Sequence, residues 1–215
     1  MREPLRLTLT TAPAGPPVGL DEVKAALRLD DDQVLEDALV AGLVRSAAAA
    51  CEAFTGRALI TQTWTFHRDA WPGAAEPELR EGLIQGPSAA ATPRFLELPK
   101  PPLQSIVHVK TFDDADTETT WPAANYFTDT ASLPGRLVAR VGQVFPTPAR
   151  AANGIEVRFN AGYGSDPTDL PESLRQGILQ TIAHLFENRG EAAPETALHA
   201  SGAAALWRPY RVLEL

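Results

Sequence analysis

Cys51 and the four histidines are the residues of this 215-residue chain whose types could supply a nucleophile, a general base or a zinc ligand. A thiolate beside a histidine could attack a carbonyl, and two histidines at i and i+4 on one helix could hold zinc. No histidine has a histidine partner at that spacing, and Cys51 is the only cysteine. The histidines are His67, His108, His184 and His199.

Cys51 lies in an alanine-rich stretch with helical spacing, a pattern that favours a small buried hydrophobe. Catalytic partners from distant parts of a sequence can nevertheless meet in the fold. A small hydrolase or lyase built on Cys51, or on a histidine and a carboxylate in the β region, therefore remains an alternative function.

The acidic run "DDADTE" places Asp114, Asp116 and Glu118 at alternate positions, as the first ligands of a calcium-binding loop are placed. The run lacks the glycine at position six and the bidentate glutamate at position twelve of such a loop. Short polar runs between strands are typical of turns. We therefore predict a hairpin turn at this run, and neither a metal site nor a cofactor in the chain.

The stretch "FNAGYGSDPTDLPESLRQ" has the layout of a phosphate-binding loop, because a strand pattern runs through two glycines into a helix. It contains no Gly-Lys-Ser/Thr, Gly162 and Gly164 do not extend to G-x-G-x-x-G, and Ser165 is not in G-x-S-x-G. Asp169 and Glu172 instead form a capping-box pattern for the following helix. The stretch predicts a joint that turns the chain and holds no ligand.

Apolar residues at helical spacing predict three main helices. The first lies in "GLDEVKAALRL", the second runs from the Asp30–Asp32 run to Gly56, and the third runs from Asp169 to Asn188 and Gly190. Between the second and third, β-branched and aromatic residues alternate in short runs separated by Pro, Asp and Gly, a pattern that predicts antiparallel strands.

These patterns predict an α+β fold in which a helical core, an N-terminal helix pair plus a C-terminal helix, carries an inserted antiparallel β region. The helical body comprises residues 1–57 and 161–200, the β region residues 58–160, and a C-terminal arm residues 201–215. Residues 71–93 are rich in Ala, Gly, Glu and Pro and predict a long loop with a contact role or disorder.

The net charge of −8 and the isoelectric point near 5.0 argue against a surface that grips DNA or an anionic membrane, because such surfaces cluster Lys and Arg. No apolar run approaches the roughly 18 residues of a membrane span, and the N-terminus lacks the apolar core of a signal peptide. With its single cysteine, the sequence predicts a soluble protein of a reducing compartment without a membrane partner.

Six phrases occur in an order that resembles one known family. They are "DEVKAALRL", "AFTGRALITQTWTFHRDAWP", "LELPKPPLQSIVHVKTFDDAD", "VRFNAGYGS", "LPESLRQGILQTIAHLFENRG" and "LWRPYRV". Together they resemble the head-to-tail connector, or adaptor, proteins of long-tailed phages and phage-like gene transfer agents. The resemblance covers about the whole chain except the loop at residues 71–93.

The resemblance implies a non-enzymatic structural protein of the virion or gene-transfer-agent particle. Its copies would form a dodecameric ring under the portal protein, located in the neck and assembled in the bacterial cytoplasm. The ring would join capsid to tail, contact a tail-side neck or stopper protein, and extend a channel through which DNA passes without sequence-specific binding. The large β region departs from the smallest, all-helical members of the family.

The resemblance also implies that the last residues form a portal-binding arm. Trp, Tyr and Arg are common in interface hot spots, and the arm contains all three. The alternative is that this apolar segment folds back on its own domain. The predicted portal-binding residues are Leu206, Trp207, Arg208, Pro209, Tyr210, Arg211 and Val212.

A third possible function is a tail-associated carbohydrate-binding module. It depends on exposed aromatic side chains in the β region, for which Trp71 and Trp121 are the candidates.

Overall fold

The computed structural model describes residues 6–30, 36–72, 78–80, 83–85, 94–188 and 194–212. The fold is α+β and divides into two compact units. The β unit comprises Met1–Ala12 and Thr63–Ala161, and the helical unit comprises Pro13–Gln62 and Gly162–Leu215. Most of the predicted loop at residues 71–93, and Gly190, lie outside the described residues.

The helical unit contains five α-helices among the described residues. They are α1 (Leu20–Leu27), α2 (Asp37–Thr55), α3 (Glu172–Glu187), α4 (Pro194–Ala200) and α5 (Ala203–Trp207), with 3-10 turns at Pro167–Asp169 and Arg208–Tyr210.

Helix α2 ends where its sequence predicts. Gly56 adopts the left-handed conformation at φ +73° and donates its N–H to the Glu52 carbonyl, 2.9 Å away. The helix begins at Asp37, after the predicted start at Asp30–Asp32, of which Asp31 and Asp32 lie outside the described residues. One face packs Val40, Val44, Ala47 and Cys51 into the core.

Helix α2 also has the length and apolar composition of a membrane span, which the sequence did not lead us to expect. Five of its residues are buried in the helical unit, and the buried share of the span-length stretch is 28%.

The capping box lies one turn earlier than predicted. Asp166 caps the 3-10 turn by accepting the Thr168 N–H at 2.9 Å, while the Asp169 side chain accepts the Asp166 N–H at 3.1 Å. Because Asp169 points back into that turn, it does not pair with Glu172, and α3 begins at Glu172 with Pro171 as an N-cap residue that makes no side-chain hydrogen bond. The predicted Asp169–Glu172 box is therefore wrong, although the predicted helix is present.

The β unit contains a five-stranded antiparallel sheet in the order β1-β2-β10-β6-β7. A three-stranded sheet has the order β5-β9-β8, and β3 pairs with β4 in a hairpin. The strands are β1 (Arg6–Thr11), β2 (Gln62–Arg68), β3 (Glu78–Arg80), β4 (Leu83–Gln85), β5 (Phe95–Glu97), β6 (Leu103–Phe112), β7 (Glu118–Thr120), β8 (Tyr126–Asp129), β9 (Arg136–Ala139) and β10 (Ile155–Ala161).

Strand β1 was not predicted, because the N-terminal residues were assigned to the helical body. It pairs antiparallel with β2, with Leu7 opposite Phe66 and Thr8 opposite Thr65. The Thr10 and Thr65 hydroxyls are 2.6 Å apart, and Arg6 pairs with Asp69. The N-terminal strand therefore belongs to the β unit, despite its 50-residue separation from β2 in sequence.

Trp207 is the largest side chain that is fully buried in the helical unit. Its indole Nε1 donates to the Leu174 carbonyl at 3.2 Å. Gly177, one turn along α3, makes room for the ring, since a Cβ added there would lie 2.2 Å from Trp207 Nε1. The end of the chain is thereby packed against the middle of α3.

We predict that Gly177→Ala lowers the free energy of unfolding by about 1–3 kcal/mol, because the added methyl group overlaps the buried indole. The matched control is Gly42→Ala, also within a helix, where a Cβ meets nothing nearer than Arg45 at 3.9 Å. That change should raise the free energy of unfolding by up to about 1 kcal/mol. Denaturant titration followed by circular dichroism measures both, and equal effects would contradict the packing described for Trp207.

Candidate functional site in the C-terminal segment

The C-terminal segment, Leu206–Val212, folds back on the helical unit. Besides the buried indole of Trp207, its far end is held by Val212, whose N–H donates to the Thr55 carbonyl at 2.8 Å. Phe54, at the end of α2, lies with its ring centroid 6.1 Å from that of Trp207. The guanidinium of Arg211 sits over the Phe54 ring at 5.7 Å. The end of α2 therefore forms the surface against which the C-terminal segment packs.

Arg57 holds the middle of the C-terminal segment by contacts with Tyr210. Its Nε donates to the Tyr210 carbonyl, its Nη1 donates to the Tyr163 hydroxyl at 3.3 Å, and its guanidinium lies 6.0 Å from the centre of the Tyr210 ring. Burial raises the pKa of Tyr163, while the Arg57 charge acts in the opposite direction. Sequence reasoning missed Arg57, because these partners are 106 and 153 residues away along the chain.

The folded segment divides its residues into a buried anchor and an exposed surface. Trp207 is 0% exposed, so in this conformation its side chain packs in the core of the helical unit, and its predicted role as an apolar anchor for the portal stays a prediction. Arg208, Pro209 and Arg211 are exposed. The remaining predicted residues, Leu206, Tyr210 and Val212, are partly buried. The alternative of a segment that folds back on its own domain describes the structure, whereas the role of the exposed residues stays a prediction.

Cys51 has the surroundings of a core residue. It is fully buried within a cluster of apolar side chains, and burial, followed by the charge of Glu52, raises the pKa of its thiol. The thiolate is the nucleophilic form of cysteine. A thiol held protonated in an apolar core cannot supply it, and the structure therefore gives no support to Cys51 as a catalytic nucleophile.

A histidine–carboxylate pair does occur, on neighbouring strands of the five-stranded sheet. His108 Nε2 on β6 and Glu156 Oε1 on β10 are 2.7 Å apart, and both side chains are mostly buried. Arg158 approaches the same carboxylate at 3.8 Å. The pair thus forms part of a cross-strand ionic cluster.

That cluster is separate from the cavity found in the described part of the β unit. The cavity has a volume of about 320 Å³, and neither histidine nor cysteine lines it. Catalysis by His108 and Glu156 would need a concave site for substrate beside the pair. The cavity does not provide one.

The acidic run forms the hairpin turn between β6 and β7, as predicted. Asp113 Oδ1 accepts the N–H groups of Ala115 and Thr117, and the bond from Thr117 is the main reason that the pKa of Asp113 is lowered. Asp116 pairs with Arg150 at 3.3 Å and Glu118 with Lys110 at 2.7 Å. Within the described ranges, no group of three or more potential ligands could hold a metal ion.

The glycine stretch is a backbone joint. Gly162, at φ +134°, lies so close to the backbone of Ile60 and Thr61 that a Cβ would come within 2.6 Å of it. Thr61 N–H donates to the Gly164 carbonyl at 2.8 Å, and a Cβ on Gly164 would overlap the Asp169 carboxylate. The space that a ligand would need is occupied by the protein itself.

The carbohydrate-binding alternative requires exposed aromatic side chains, and its two candidates are buried. Trp71 and Trp121 are only 7% and 6% exposed. Trp71 stacks on Phe145 with ring centroids 4.4 Å apart and donates its indole N–H to the Pro146 carbonyl at 2.7 Å. Trp121 packs on Phe145 and Tyr126 in the same aromatic cluster. These rings build the core of the β unit.

Solved structures include chains with a similar fold. It matches a chain of the neck of an empty GTA particle with C6 symmetry at 25% identity and a TM-score of 0.73, over 97% of this chain and 96% of that one. A chain of the virion of a native gene transfer agent particle matches at 23% identity and a TM-score of 0.73, over 98% and 97%. A chain of the neck of a native GTA particle with C12 symmetry matches at 23% identity, over 97% of both chains, with a TM-score of 0.66.

No family model and no curated protein matches the sequence. The structural matches nonetheless span nearly the whole of each chain, so the helical and β units are both part of the shared fold.

We predict that Cys51 of the folded protein does not react with a thiol-specific disulfide reagent at neutral pH, because its raised pKa and its burial leave no accessible thiolate. Release of the coloured product should reach one equivalent only after unfolding in guanidinium chloride. Reaction at the same rate before and after unfolding would reopen the case for a reactive cysteine.

Proposed function

We propose that this protein is a structural component of the neck of a phage or phage-like particle, where it joins capsid to tail. The observation that carries the proposal is the fold shared with GTA neck chains over 97% and 96% of the two lengths at a TM-score of 0.73. The six sequence phrases support the same proposal.

In the finer form of the proposal, twelve copies form a ring docked under the portal protein and above a tail-side stopper. The C6 and C12 symmetry of the similar necks supports repetition of copies around an axis. A ring of identical subunits needs two different faces that meet head to tail and a rotation that closes. The protein would be made and assembled in the bacterial cytoplasm and remain in the particle neck.

The negative net charge of the chain is compatible with a role in the wall of a DNA channel. A formal net charge of −8 repels phosphates, and DNA can therefore slide through without being held. A structural role also agrees with the surroundings of the candidate catalytic groups, since the Cys51 thiol is buried and His108 is paired between strands.

We further propose that the exposed surface of the C-terminal segment contacts the portal. Trp207 would position this surface from below, and Arg208, Pro209, Tyr210 and Arg211 would make the contact. Arg57 holds the Tyr210 backbone in place, so little ordering of the segment would be required on binding. Arginine and tyrosine are common among the residues that dominate interface affinity.

Imaging of purified particles tests the connector function. We expect density for this chain in a ring between capsid and tail, and we expect a gene deletion to leave heads and tails unjoined until the wild-type gene is restored. Particles that join normally without the protein, or that carry it away from the neck, would refute the proposal.

The portal contact is tested by the double substitution Arg208→Glu and Arg211→Glu. We expect binding to the purified portal protein of the same particle to weaken by about tenfold or more, because two cations at the contact become anions. The free energy of unfolding should fall by no more than about 1 kcal/mol, because both side chains are exposed and the contact of Arg211 with the Phe54 ring is the one that is lost.

Arg45→Glu is the matched control, because Arg45 is an exposed arginine on α2 of the same unit. It should leave portal binding at the wild-type level. Equal binding by the double variant and the wild-type chain would overturn the assignment of the C-terminal surface.

A further inference from the structure

The long connection between β9 and β10 presents two valine side chains almost entirely to solvent. Val141 is 90% exposed and Val144 is 81% exposed, the two highest values among the large hydrophobic residues that are exposed in the described part of the chain. Single exposed hydrophobic residues are common on protein surfaces, whereas a group of them on one prominent loop is typical of a contact site.

The loop is held in this position from both sides. Before the valines, Arg140 donates its N–H to the Asn125 carbonyl at 2.9 Å and accepts a bond from Arg94 at 2.6 Å. After them, Phe145 stacks on Trp71 in the aromatic cluster. The valines are therefore presented by an ordered backbone, which lowers the entropic cost of binding.

A closed turn forms the tip. Gln143 donates its N–H to the Arg140 carbonyl at 3.0 Å, and Gly142 between the valines adopts φ +82°, a conformation that a side chain would strain. A Cβ on Gly142 would meet no atom within 4 Å. Glycine is thus required by the turn itself and not by a neighbouring side chain.

Two exposed arginines lie at the start of the loop. Arg140 lies over the ring of Phe127 at 5.9 Å, and Phe127 is itself 44% exposed. Arg94, bonded to the Arg140 carbonyl, is also exposed. We call these five residues, Arg94, Phe127, Arg140, Val141 and Val144, the Val141 patch. These five residues include two cations and no carboxylate, while Asp69, which lines the same cavity as Val144, is paired with Arg6.

We propose that the Val141 patch is one half of a head-to-tail interface between copies of this chain. Charge complementarity favours this occupant, because other surfaces of an identical acidic copy can supply the carboxylates that the patch lacks. A two-fold contact of patch with patch would instead bring the arginines of one copy against those of the other. The inference rests on the proposed function, since the head-to-tail arrangement is the one that a ring requires.

A protein surface fits the patch better than DNA does. DNA binding depends on phosphate neutralisation by clustered cations, and it leaves little for two projecting valines to contact. Burial of valine in a partner removes apolar surface from water. Arginine at the rim of such a contact sets orientation and the rate of association.

The test is sedimentation equilibrium of the full-length chain over a concentration series. We expect the wild-type chain to self-associate, and we expect Val141→Asp and Arg140→Glu each to weaken association by about tenfold or more. Leu133→Asp is the control, because Leu133 is 60% exposed in the β unit but lies outside the patch. It should associate as the wild-type chain does, and all variants should retain the wild-type unfolding midpoint.

A wild-type chain that stays monomeric throughout, or equal association by the Val141→Asp and wild-type chains, would overturn the inference. Oxidative cross-linking in a Cys51→Ala background tests the arrangement. Two Val141→Cys copies that form a disulfide with each other would meet patch to patch, against the head-to-tail arrangement. Particles whose neck ring contains the Val141→Asp chain at the normal level would refute this interface alone, whereas particles without any ring of this chain would refute the connector function.

Discussion

The packing of the Trp207 indole against α3 is the interaction on which the helical unit depends. The ring fills the space above Gly177, and its N–H satisfies the Leu174 carbonyl. A buried indole N–H without a partner would be unfavourable, and a side chain at 177 would push the ring out. The size of the indole ring, its hydrogen bond to Leu174 and the absence of a Cβ at Gly177 are therefore matched at one place. This packing fixes the position of the segment that follows Trp207.

The same packing changes the meaning of the C-terminal sequence. In the sequence alone, "LWRPYRV" indicates that Trp207, its largest aromatic residue, is the best candidate for a contact with a partner. In the fold, that residue is buried, whereas Arg208, Pro209 and Arg211 are the exposed residues of the segment. A segment can thus resemble an interface motif because part of it builds a core, and burial is needed to separate the two roles.

The spacing of apolar residues along the sequence was sufficient to predict most of the helices and strands. The first helix, the end of α2 at Gly56, the third main helix and the strands after Ala58 follow from local spacing and from turn residues. Local spacing could not place β1, because its stability comes from pairing with β2 about 50 residues away. Nor could it identify Arg57 or the His108–Glu156 pair, whose partners are brought together only by the fold. Gly177 within a helical pattern is a signal of close packing that the sequence shows, whereas the sequence does not show that Trp207 is the side chain packed there.

The chain passes between the two units at three places, after Ala12, Gln62 and Ala161, and this arrangement bears on the order of folding during synthesis. The ten strands that the structure describes in the β unit all precede the residues of α3, so that unit can complete its sheets while the C-terminal residues are still being added. The helical unit cannot, because α2 packs mainly against α3, which is made only after the whole β unit. The apolar face of α2 thus remains uncovered for most of translation, until α3 has been made.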